Sequence, residues 1–567
     1  MLSPKEQIIS LLLPKLAEDG ITREELATLI DYPKSADLGD YTLACFVLAK
    51  KLRKAPPIIA KELLEIIEAA GSELFSSVEA VGGYLNFRLS DASKTAALAS
   101  FALAGDDYGK SDEGAGKTIV LDFSSPNIAK PFHIGHLGTT AIGNSLRRMH
   151  EFCGYKTVSI NHLGDWGTQF GRLIVAYRRW GSEKEIEEGG VDALGEIYRR
   201  FYAEAEEDPT LNDEARAAFA AMEAGDPEAL RLWQWFKDIS LAEFQKTYKL
   251  LNIDFDSWNG EAFYNDKMDA VIAELEEKDL LTSSDGAKVV DLSEEDMPPC
   301  LILKSDGSTL YATRDITAGL YRKNTYDFHK AVYVTDAGQS LHFKQWFTVI
   351  GKMGYEWSRD LVHVPYGKLS INGTKLASRT GNVILLRDLF ADAIERVRAI
   401  TLERNPSCEN VDEVARAVGV GALVFHQLST GRIKDISFSV EEALNFDGST
   451  GPYVQYTHAR ICSVLRKEQF SGKIEGAHTF DPKEQELYAL LVRFPETVAK
   501  ALADYEPSTI SRYALDLCQG FNRFYQACPV LKAEGDVRNL RLAFCTACEA
   551  VLKNCLWLLG MEAPETI

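Results

Sequence analysis

The sequence predicts an α/β fold class, with a doubly wound parallel sheet at its centre, an α+β domain before it and an all-α domain after it. Two observations predict this arrangement. Short apolar runs alternate with helical patterns through the middle of the chain, which is typical of a parallel sheet covered by helices on both faces. From about residue 391 onward, strand signals nearly vanish and helical spacing continues to the end of the sequence.

The first part of the chain, residues 1–110, mixes helical patterns with short strand signals and predicts the α+β domain. A helix is expected over Ile58–Ala69, because the two prolines before it suit a first helical turn. A turn and a strand are expected within Val78–Leu89. The stretch Ala104–Lys117 is rich in Gly, Asp and Ser and is predicted to be a linker.

The central part, residues 111–390, is predicted to be a Rossmann-like domain. A long helix is expected over Leu137–Phe152, and acidic, Ala-rich helices over about 170–250 resemble an insertion into the sheet. Ser-Asp-Gly turns within residues 282–313 predict hairpins. The candidate strands are Ile119–Phe123, Thr157–Asn161, Ala331–Thr335 and Leu361–Pro365.

The last third divides into a connecting helical segment, residues 391–440, and an all-helical domain, residues 441–567. Cys545 and Cys548 form its one CxxC pair, but no second pair or histidine follows at zinc-site spacing. We therefore expect both cysteines on a packed helix face and predict no metal site among the protein's side chains.

The composition bears on where the chain works. No window approaches twenty apolar residues, so no membrane span is expected. Met1–Glu18 is amphipathic and lacks the apolar core and cleavage site of a signal peptide, which favours a cytoplasmic protein.

The net charge of −21 argues mildly against nucleic-acid binding, yet a local positive stripe can still bind phosphates. Such a stripe contains Lys50, Lys51, Arg53, Lys54 and Lys61. Taken alone, it is better interpreted as a solvated helix face.

The segment Ser124–His136 says most about function. It joins an apolar strand to the start of a helix, where free backbone N–H groups attract anions. His133 and His136 can donate to phosphate oxygens, and Gly135 permits the close approach of a flat base. We interpret this segment as a nucleotide-binding loop that stabilises charge on a reacting phosphate.

This loop, with its Ser124-Ser-Pro-Asn-Ile-Ala-Lys130 lead-in, resembles the signature loop of class I aminoacyl-tRNA synthetases, and of the arginyl enzymes in particular. The resemblance implies ATP and L-arginine as substrates, tRNA(Arg) as partner, Mg²⁺ as cofactor and a monomer. It further implies catalytic roles for His133, His136 and Lys130. The implied reaction forms arginyl-adenylate, with tRNA bound, and then transfers arginine to the terminal ribose of the tRNA.

Tyr311 and Asp315 are four residues apart and share one face of a predicted helix. A guanidinium group needs carboxylate partners and tolerates an aromatic face. The alternative is a surface tyrosine beside an ion pair made by Arg314. The resemblance to the arginyl family implies that arginine is bound by Asn127, Glu261, Tyr311, Asp315 and Gln339.

The string Lys375-Leu-Ala-Ser378-Arg379 stands where class I synthetases carry a mobile, lysine-rich loop. The usual second lysine is Ser378 here, so the motif is degenerate. Arginyl enzymes often carry a lysine just before the histidine motif instead, and Lys130 matches it. The resemblance therefore assigns the charge role chiefly to Lys130, and ATP contacts to His133, Gly135, His136, Lys375 and Arg379.

The outer domains resemble the tRNA-binding parts of the same family. Unpaired bases of an anticodon loop stack on aromatic side chains, although helical aromatics are more often core residues. The resemblance implies that residues 441–567 bind the anticodon and that residues 1–110 contact the outer corner of the tRNA. The candidate RNA contacts are Lys50, Lys51, Arg53, Lys54, Tyr453, Tyr456 and Arg460.

Two other functions stay open from the residues alone. A nucleotidylyltransferase or another class I synthetase shares the paired-histidine chemistry, but the first does not need the helical domain and the second lacks the tyrosine with two carboxylates. The other is a non-catalytic RNA-binding or regulatory relative. Loss of His133 or His136 would favour it, and both are present.

Overall fold

The computed structural model describes residues 3–35, 38–371, 374–375 and 384–567. Its first region is a four-stranded antiparallel sheet in the order β1-β2-β4-β3, with helices packed on it. Gly82 and Gly83 adopt positive φ angles of 57° and 93°, which allows the tight turn between β3 and β4. The elements are α1 (Pro4–Glu18), α2 (Arg23–Leu29), β1 (Ile30–Asp31), β2 (Tyr41–Ala44), α3 (Leu48–Leu52), α4 (Pro56–Ala70), β3 (Phe75–Val81), β4 (Tyr84–Leu89) and α5 (Asp91–Ala104).

The second region contains the central sheet, in which all four strands are parallel in the order β11-β10-β5-β6. Its elements are β5 (Thr118–Asp122), α6 (Leu137–Phe152), β6 (Lys156–Ile160), α7 (Thr168–Trp180), α8 (Glu183–Glu207), α9 (Thr210–Glu223), α10 (Pro227–Leu250), α11 (Met268–Glu277), β7 (Leu281–Ser284), β8 (Ala287–Val290), β9 (Cys300–Leu303), α12 (Tyr311–Tyr326), β10 (Lys330–Asp336), α13 (Ser340–Lys352), β11 (Leu361–Tyr366), β12 (Leu369–Ile371) and β13 (Thr374–Lys375).

The four strands predicted for the central sheet are its four strands, each displaced by no more than one residue at either end. Both faces of this sheet are buried. On β5, Ile119 and Leu121 pack with the C-terminal helices, whereas Val120 packs on the opposite side with Val290 and Ile316. Burial on both faces explains the consecutive apolar residues Ile119–Leu121 on β5 and Ala331–Val334 on β10.

The third region is helical, with one short strand. Its elements are α14 (Leu386–Arg404), α15 (Val411–Leu428), β14 (Ile436–Phe438), α16 (Val440–Ala443), α17 (Gly451–Leu465), α18 (Pro482–Val492), α19 (Phe494–Ala503), α20 (Ser508–Ala527) and α21 (Gly535–Leu558). The strand β14 pairs in parallel with β12 and departs from the helical pattern expected over 391–440. Three residues of alternating burial are too few for a sequence signal to rise above its helical surroundings.

Several contacts bind the regions together, and two groups of them involve the expected linker and helix α6. The expected linker, residues 104–117, is irregular but packed: the Tyr108 hydroxyl donates to Leu491 O (2.9 Å). Helix α6 holds the end of α21, because Ser145 Oγ donates to Leu558 O (2.7 Å) and Arg148 donates to Trp557 O (3.0 Å). These donors satisfy carbonyls that a helix leaves unpaired at its C-terminus. None of the described helices combines the length and apolarity that crossing a membrane requires.

Candidate active site

The segment Ser124–His136, called the histidine loop below, follows the C-terminal end of β5. This is the edge at which doubly wound sheets bind ligands. Three non-glycine residues of the histidine loop have positive φ angles: Ser124 (72°), Ser125 (47°) and Ala129 (58°). Such backbone is strained and persists only where surrounding contacts hold it.

Helix α10, from the predicted insertion, supplies several of those contacts. Ser124 Oγ lies 2.7 Å from the Tyr248 hydroxyl, and the Ala129 N–H donates to Ser240 Oγ (3.0 Å). The Tyr248 hydroxyl also accepts from Asn161 Nδ2 (3.0 Å), at the end of β6. The insertion therefore supports the histidine loop directly.

The two histidines face each other at the start of α6, with ring centroids 4.0 Å apart. His133 Nδ1 accepts the Gly135 N–H (3.1 Å), and His136 Nδ1 accepts the His133 N–H (3.2 Å). Burial is the main cause that lowers the pKa of both rings, to about 3 for His136, and the positive charge of Lys130 lowers both further. The structure thus brings Lys130, His133, Gly135 and His136 together and keeps both imidazoles uncharged at neutral pH.

The string Lys375–Arg379 lies mostly outside the described residues. Lys375 is described only as backbone in β13, and Ser378 and Arg379 fall in the undescribed stretch. The residues after this stretch lie beside the histidines. The Ile134 N–H donates to Ile384 O (3.0 Å), and His133 forms a bridge with Leu385.

Tyr311 and Asp315 occupy the first turns of α12, as expected from their spacing. Tyr311 is 67% exposed, whereas Asp315 is partly buried and its Oδ2 lies 2.5 Å from His342 Nε2. Arg314 forms its ion pair with Glu261 (3.2 Å). The alternative of a surface tyrosine beside an Arg314 ion pair is therefore present in part, and the ion pair involves the second candidate carboxylate.

Glu261 begins a short 3₁₀ segment, Glu261–Lys267. Its N–H donates to Leu163 O (3.0 Å), which anchors it beside the loop after β6. Burial raises the pKa of its carboxyl to about 7, the negative charges of Asp315 and Asp165 raise it further, and Arg314 opposes them. Glu261 and Asp315 therefore share one electrostatic environment.

Asn127 joins the same group of segments. It bridges to Gly164, and the flanking backbone pairs Ile128 N with Gly164 O (3.1 Å). Gln339 ends the short turn before α13, three residues before His342, which is the α13 residue that contacts Asp315.

Several residues that support this site are not among the site residues predicted from the sequence. Asp165 is fully buried, binds Lys237 (2.7 Å) and accepts the Ala262 N–H (2.8 Å), so it fixes the residue after Glu261. His342 could have been suspected, because it is three residues after Gln339 in the sequence. The buried ion pair of Arg322 and Asp122 (2.8 Å) could not be predicted from a local sequence pattern, since its members are two hundred residues apart.

The RNA candidates lie on two separate surfaces. Lys50, Lys51, Arg53 and Lys54 are all exposed at the end of α3, where Lys51 pairs with Glu25 (2.6 Å) and Lys54 with Glu62 (2.7 Å). On α17, Tyr456 is exposed. Tyr453 and Arg460 instead join a cluster around Asn522, with Arg460 over the Tyr525 ring at 4.6 Å.

Comparison with known proteins completes the description. The family model for the class I (R) tRNA synthetase catalytic domain matches residues 99–440, the DALR anticodon binding domain matches 454–567, and the arginyl tRNA synthetase N terminal domain matches 6–89. Arginine–tRNA ligases of Clostridioides difficile (strain 630) and Alkaliphilus metalliredigens (strain QYMF) are 49% and 48% identical. The alignments cover 98% of both chains in the first case, and 96% of this chain and 97% of the relative in the second.

Solved structures agree with those relatives. The Thermus thermophilus arginyl-tRNA synthetase superposes with a TM-score of 0.83 at 28% identity, covering 95% of this chain and 96% of that one. The Plasmodium falciparum enzyme superposes with a TM-score of 0.81 at 26% identity over the full length of both.

Proposed function

The chain belongs to the class I arginyl-tRNA synthetases, and on that premise we propose which of its residues carry out the ligase reaction. The enzyme activates L-arginine with ATP and transfers it to tRNA(Arg), releasing AMP and pyrophosphate. In the first step the arginine carboxylate attacks the α-phosphate of ATP. In the second, the terminal ribose hydroxyl of the tRNA attacks the adenylate.

His133 and His136 act as neutral hydrogen-bond donors to the phosphate oxygens of ATP. The observation that supports this role is that His133 Nδ1 accepts the Gly135 N–H, which leaves the proton of that ring on Nε2, while His136 Nδ1 lies 3.2 Å from both N and O of His133. Lys130 adds a positive charge beside them. Charge that develops on the phosphate in the transition state is thereby met by donors already in place.

Lys375 and Arg379 act as secondary ATP contacts. Support comes from the return of the chain beside His133 at Leu385, directly after the string that contains them. Gly135 lets the nucleotide approach the backbone.

Mg²⁺ prefers oxygen ligands and would be held by the phosphate oxygens of ATP, where it would neutralise part of their charge. His133, His136 and Lys130 offer nitrogen atoms, which do not suit this ion.

Arginine is held at its side chain by Asp315, Glu261, Tyr311 and Asn127, with Gln339 toward its amino-acid end. The contacts among these segments support one shared pocket at the C-terminal edge of the sheet. The tRNA contacts lie on the exposed basic end of α3 and around Tyr453, Tyr456 and Arg460. We also propose that the enzyme acts as a monomer in the cytoplasm.

The direct test is ATP–pyrophosphate exchange with each of the twenty amino acids, with and without tRNA(Arg). We expect exchange with arginine. Changing His136→Ala should lower kcat about 10²–10³-fold, the typical loss for one transition-state donor, with arginine binding nearly unchanged.

The matched control is His329→Ala, an exposed histidine just before β10, which should leave kcat within about twofold. A His136→Ala enzyme with near-normal turnover would remove the histidines from the mechanism.

A further inference from the structure

We propose that His342 is a positioning residue that fixes the carboxylate of Asp315 for the guanidinium group of arginine. The inference rests on the proposed function of Asp315. It adds a residue outside the histidine loop and outside the five arginine contacts named above.

The two side chains come from neighbouring helices. His342 lies in the first turn of α13 and Asp315 in the second turn of α12, and their Nε2–Oδ2 distance is 2.5 Å. The side chains are 30% and 26% exposed, so the pair borders open space rather than forming part of a sealed core. A ligand can therefore reach the carboxylate while the imidazole holds it.

The charges of the neighbouring groups indicate that the Asp315 carboxylate provides the negative charge for the guanidinium group. Glu261 is paired with Arg314 at 3.2 Å, which compensates its charge when it is ionised. Within the described part of the chain, no lysine or arginine forms an ion pair with Asp315. The uncompensated negative charge that a guanidinium group requires is therefore that of Asp315.

A guanidinium group binds a carboxylate best through two parallel N–H···O bonds, which fix the plane of the carboxylate. The χ2 torsion of an aspartate is broad, so an untethered carboxylate samples many planes. Tethering Oδ2 to His342 removes that freedom before arginine arrives. Such preorganisation increases affinity because the carboxylate has less conformational freedom left to lose when arginine binds.

The test uses two amide replacements that differ in reach. In His342→Gln the side-chain amide nitrogen falls close to the original Nε2, whereas in His342→Asn it falls close to Nδ1 and cannot reach Asp315. Hydrogen bonds to charged groups contribute enough that we expect His342→Asn to raise KM for arginine about 10–100-fold. KM for ATP should stay unchanged and kcat within a few-fold. His342→Gln should restore most of the arginine affinity.

Asp315→Asn, alone and combined with His342→Asn, separates this inference from the site assignment. Because His342 acts through Asp315, the double variant should have nearly the same kcat/KM for arginine as Asp315→Asn alone. Additive losses would show that His342 acts elsewhere and would overturn the inference.

Three further outcomes are decisive. If Asp315→Asn raises KM and His342→Asn does not, the positioning role is wrong and the arginine site stands. If neither variant alters KM for arginine, the arginine site itself is wrong. If His342→Gln is as impaired as His342→Asn, with unchanged thermal unfolding, a hydrogen bond from position 342 is not what fixes Asp315, and the inference is overturned.

Discussion

His136 and Glu261 are both partly buried beside the candidate site, and burial disfavours the charged form of each. It lowers the pKa of the imidazole to about 3 and raises the pKa of the carboxyl to about 7. At neutral pH His136 is therefore uncharged throughout, while Glu261 is half ionised. Any pH dependence of arginine binding near neutrality is expected to include Glu261.

We predict that KM for arginine falls as pH rises from 6 to 8. Below a pKa of about 7 the Glu261 carboxyl is protonated and cannot attract a guanidinium group, and above it the carboxylate can. The full change should be within about tenfold, because Arg314 already shares this carboxylate. The measurement is steady-state charging of tRNA(Arg) at several pH values, with ATP saturating.

The control is Glu261→Gln, which keeps the shape and cannot ionise. Its KM for arginine should be higher than that of the wild type at pH 8, and the profile between pH 6 and 8 should be flatter. A Glu261→Gln profile that parallels the wild type would assign the titration to another group.

Single residues were predictable where a motif surrounds them. The two histidines and Lys130 stand in one continuous string, and the structure brings them together as a loop and a helix start. His342 and Asp165 were not predicted to contact the carboxylates, because their partners come from distant segments. A hydrogen bond between two helices has no period or spacing in the sequence to reveal it.

At the scale of elements, the exposed basic end of α3 combines cations with local acidic partners. Lys51 and Lys54 pair with Glu25 and Glu62, which are themselves exposed. Surface ion pairs of this kind contribute little, so RNA phosphates can replace the carboxylates at small cost.

We predict that changing Lys50, Lys51, Arg53 and Lys54 to glutamine flattens the salt dependence of tRNA(Arg) binding. Each lost phosphate contact should reduce the slope of log K against log salt by roughly 0.7–0.9. The measurement is a filter-binding or anisotropy titration between about 50 and 200 mM salt. ATP affinity without tRNA should not change.

Lys288→Gln with Lys304→Gln, on the small sheet of β7, β8 and β9, is the matched control and should keep the original slope. If the α3 variant also keeps it, this basic cluster is a solvated surface and the RNA contacts lie elsewhere.

Elements were predictable where their pattern is local. Helix α6 has the expected bounds, and β5 and β10 were predictable because burial on both faces gives them consecutive apolar residues. β14 was missed because its three residues gain strand structure only by pairing with β12. Residues 104–117 read as a linker from composition, yet Asn554 of α21 donates to their carbonyls at Asp106 and Tyr108.

At the scale of the whole molecule, the last residues join the third, helical region to the second region, which contains the central sheet. His458 Nδ1 donates to Pro564 O (3.0 Å), and its Nε2 lies 3.2 Å from Glu549 Oε1. Nearby, Glu562 is paired with Arg416 and accepts from Asn252 of the catalytic region (3.0 Å). The tail therefore joins α17 and α21 to the segment that follows α10.

We predict that the contacts of His458 with Pro564 and Glu549 weaken as the pH rises. Although burial opposes it, hydrogen bonds from His458 to Cys462 and Glu549 raise the pKa of the imidazole to about 9, above its ordinary value near 6.5. The imidazolium therefore stabilises the fold fully below about pH 6.5, and this contribution is lost as pH rises through about 9. The loss should reach at most about 3 kcal/mol.

The measurement is the free energy of unfolding in urea at pH 6.5 and 9.5, for the wild type and for His458→Gln. The two proteins should differ most at pH 6.5 and nearly coincide at pH 9.5. An equal difference at both values would show that His458 contributes by packing alone.

The contact between α6 and α21 also has a consequence for how the chain is made. Ser145 and its acceptor Leu558 are 413 residues apart. At a synthesis rate of about 5–20 residues per second, α6 leaves the ribosome roughly 20–80 s before the carbonyls that it caps. For that interval Ser145 and Arg148, on the helix that follows the second histidine, lack these acceptors. A nascent chain that ends before α21 is therefore expected to leave this face of α6 open to solvent.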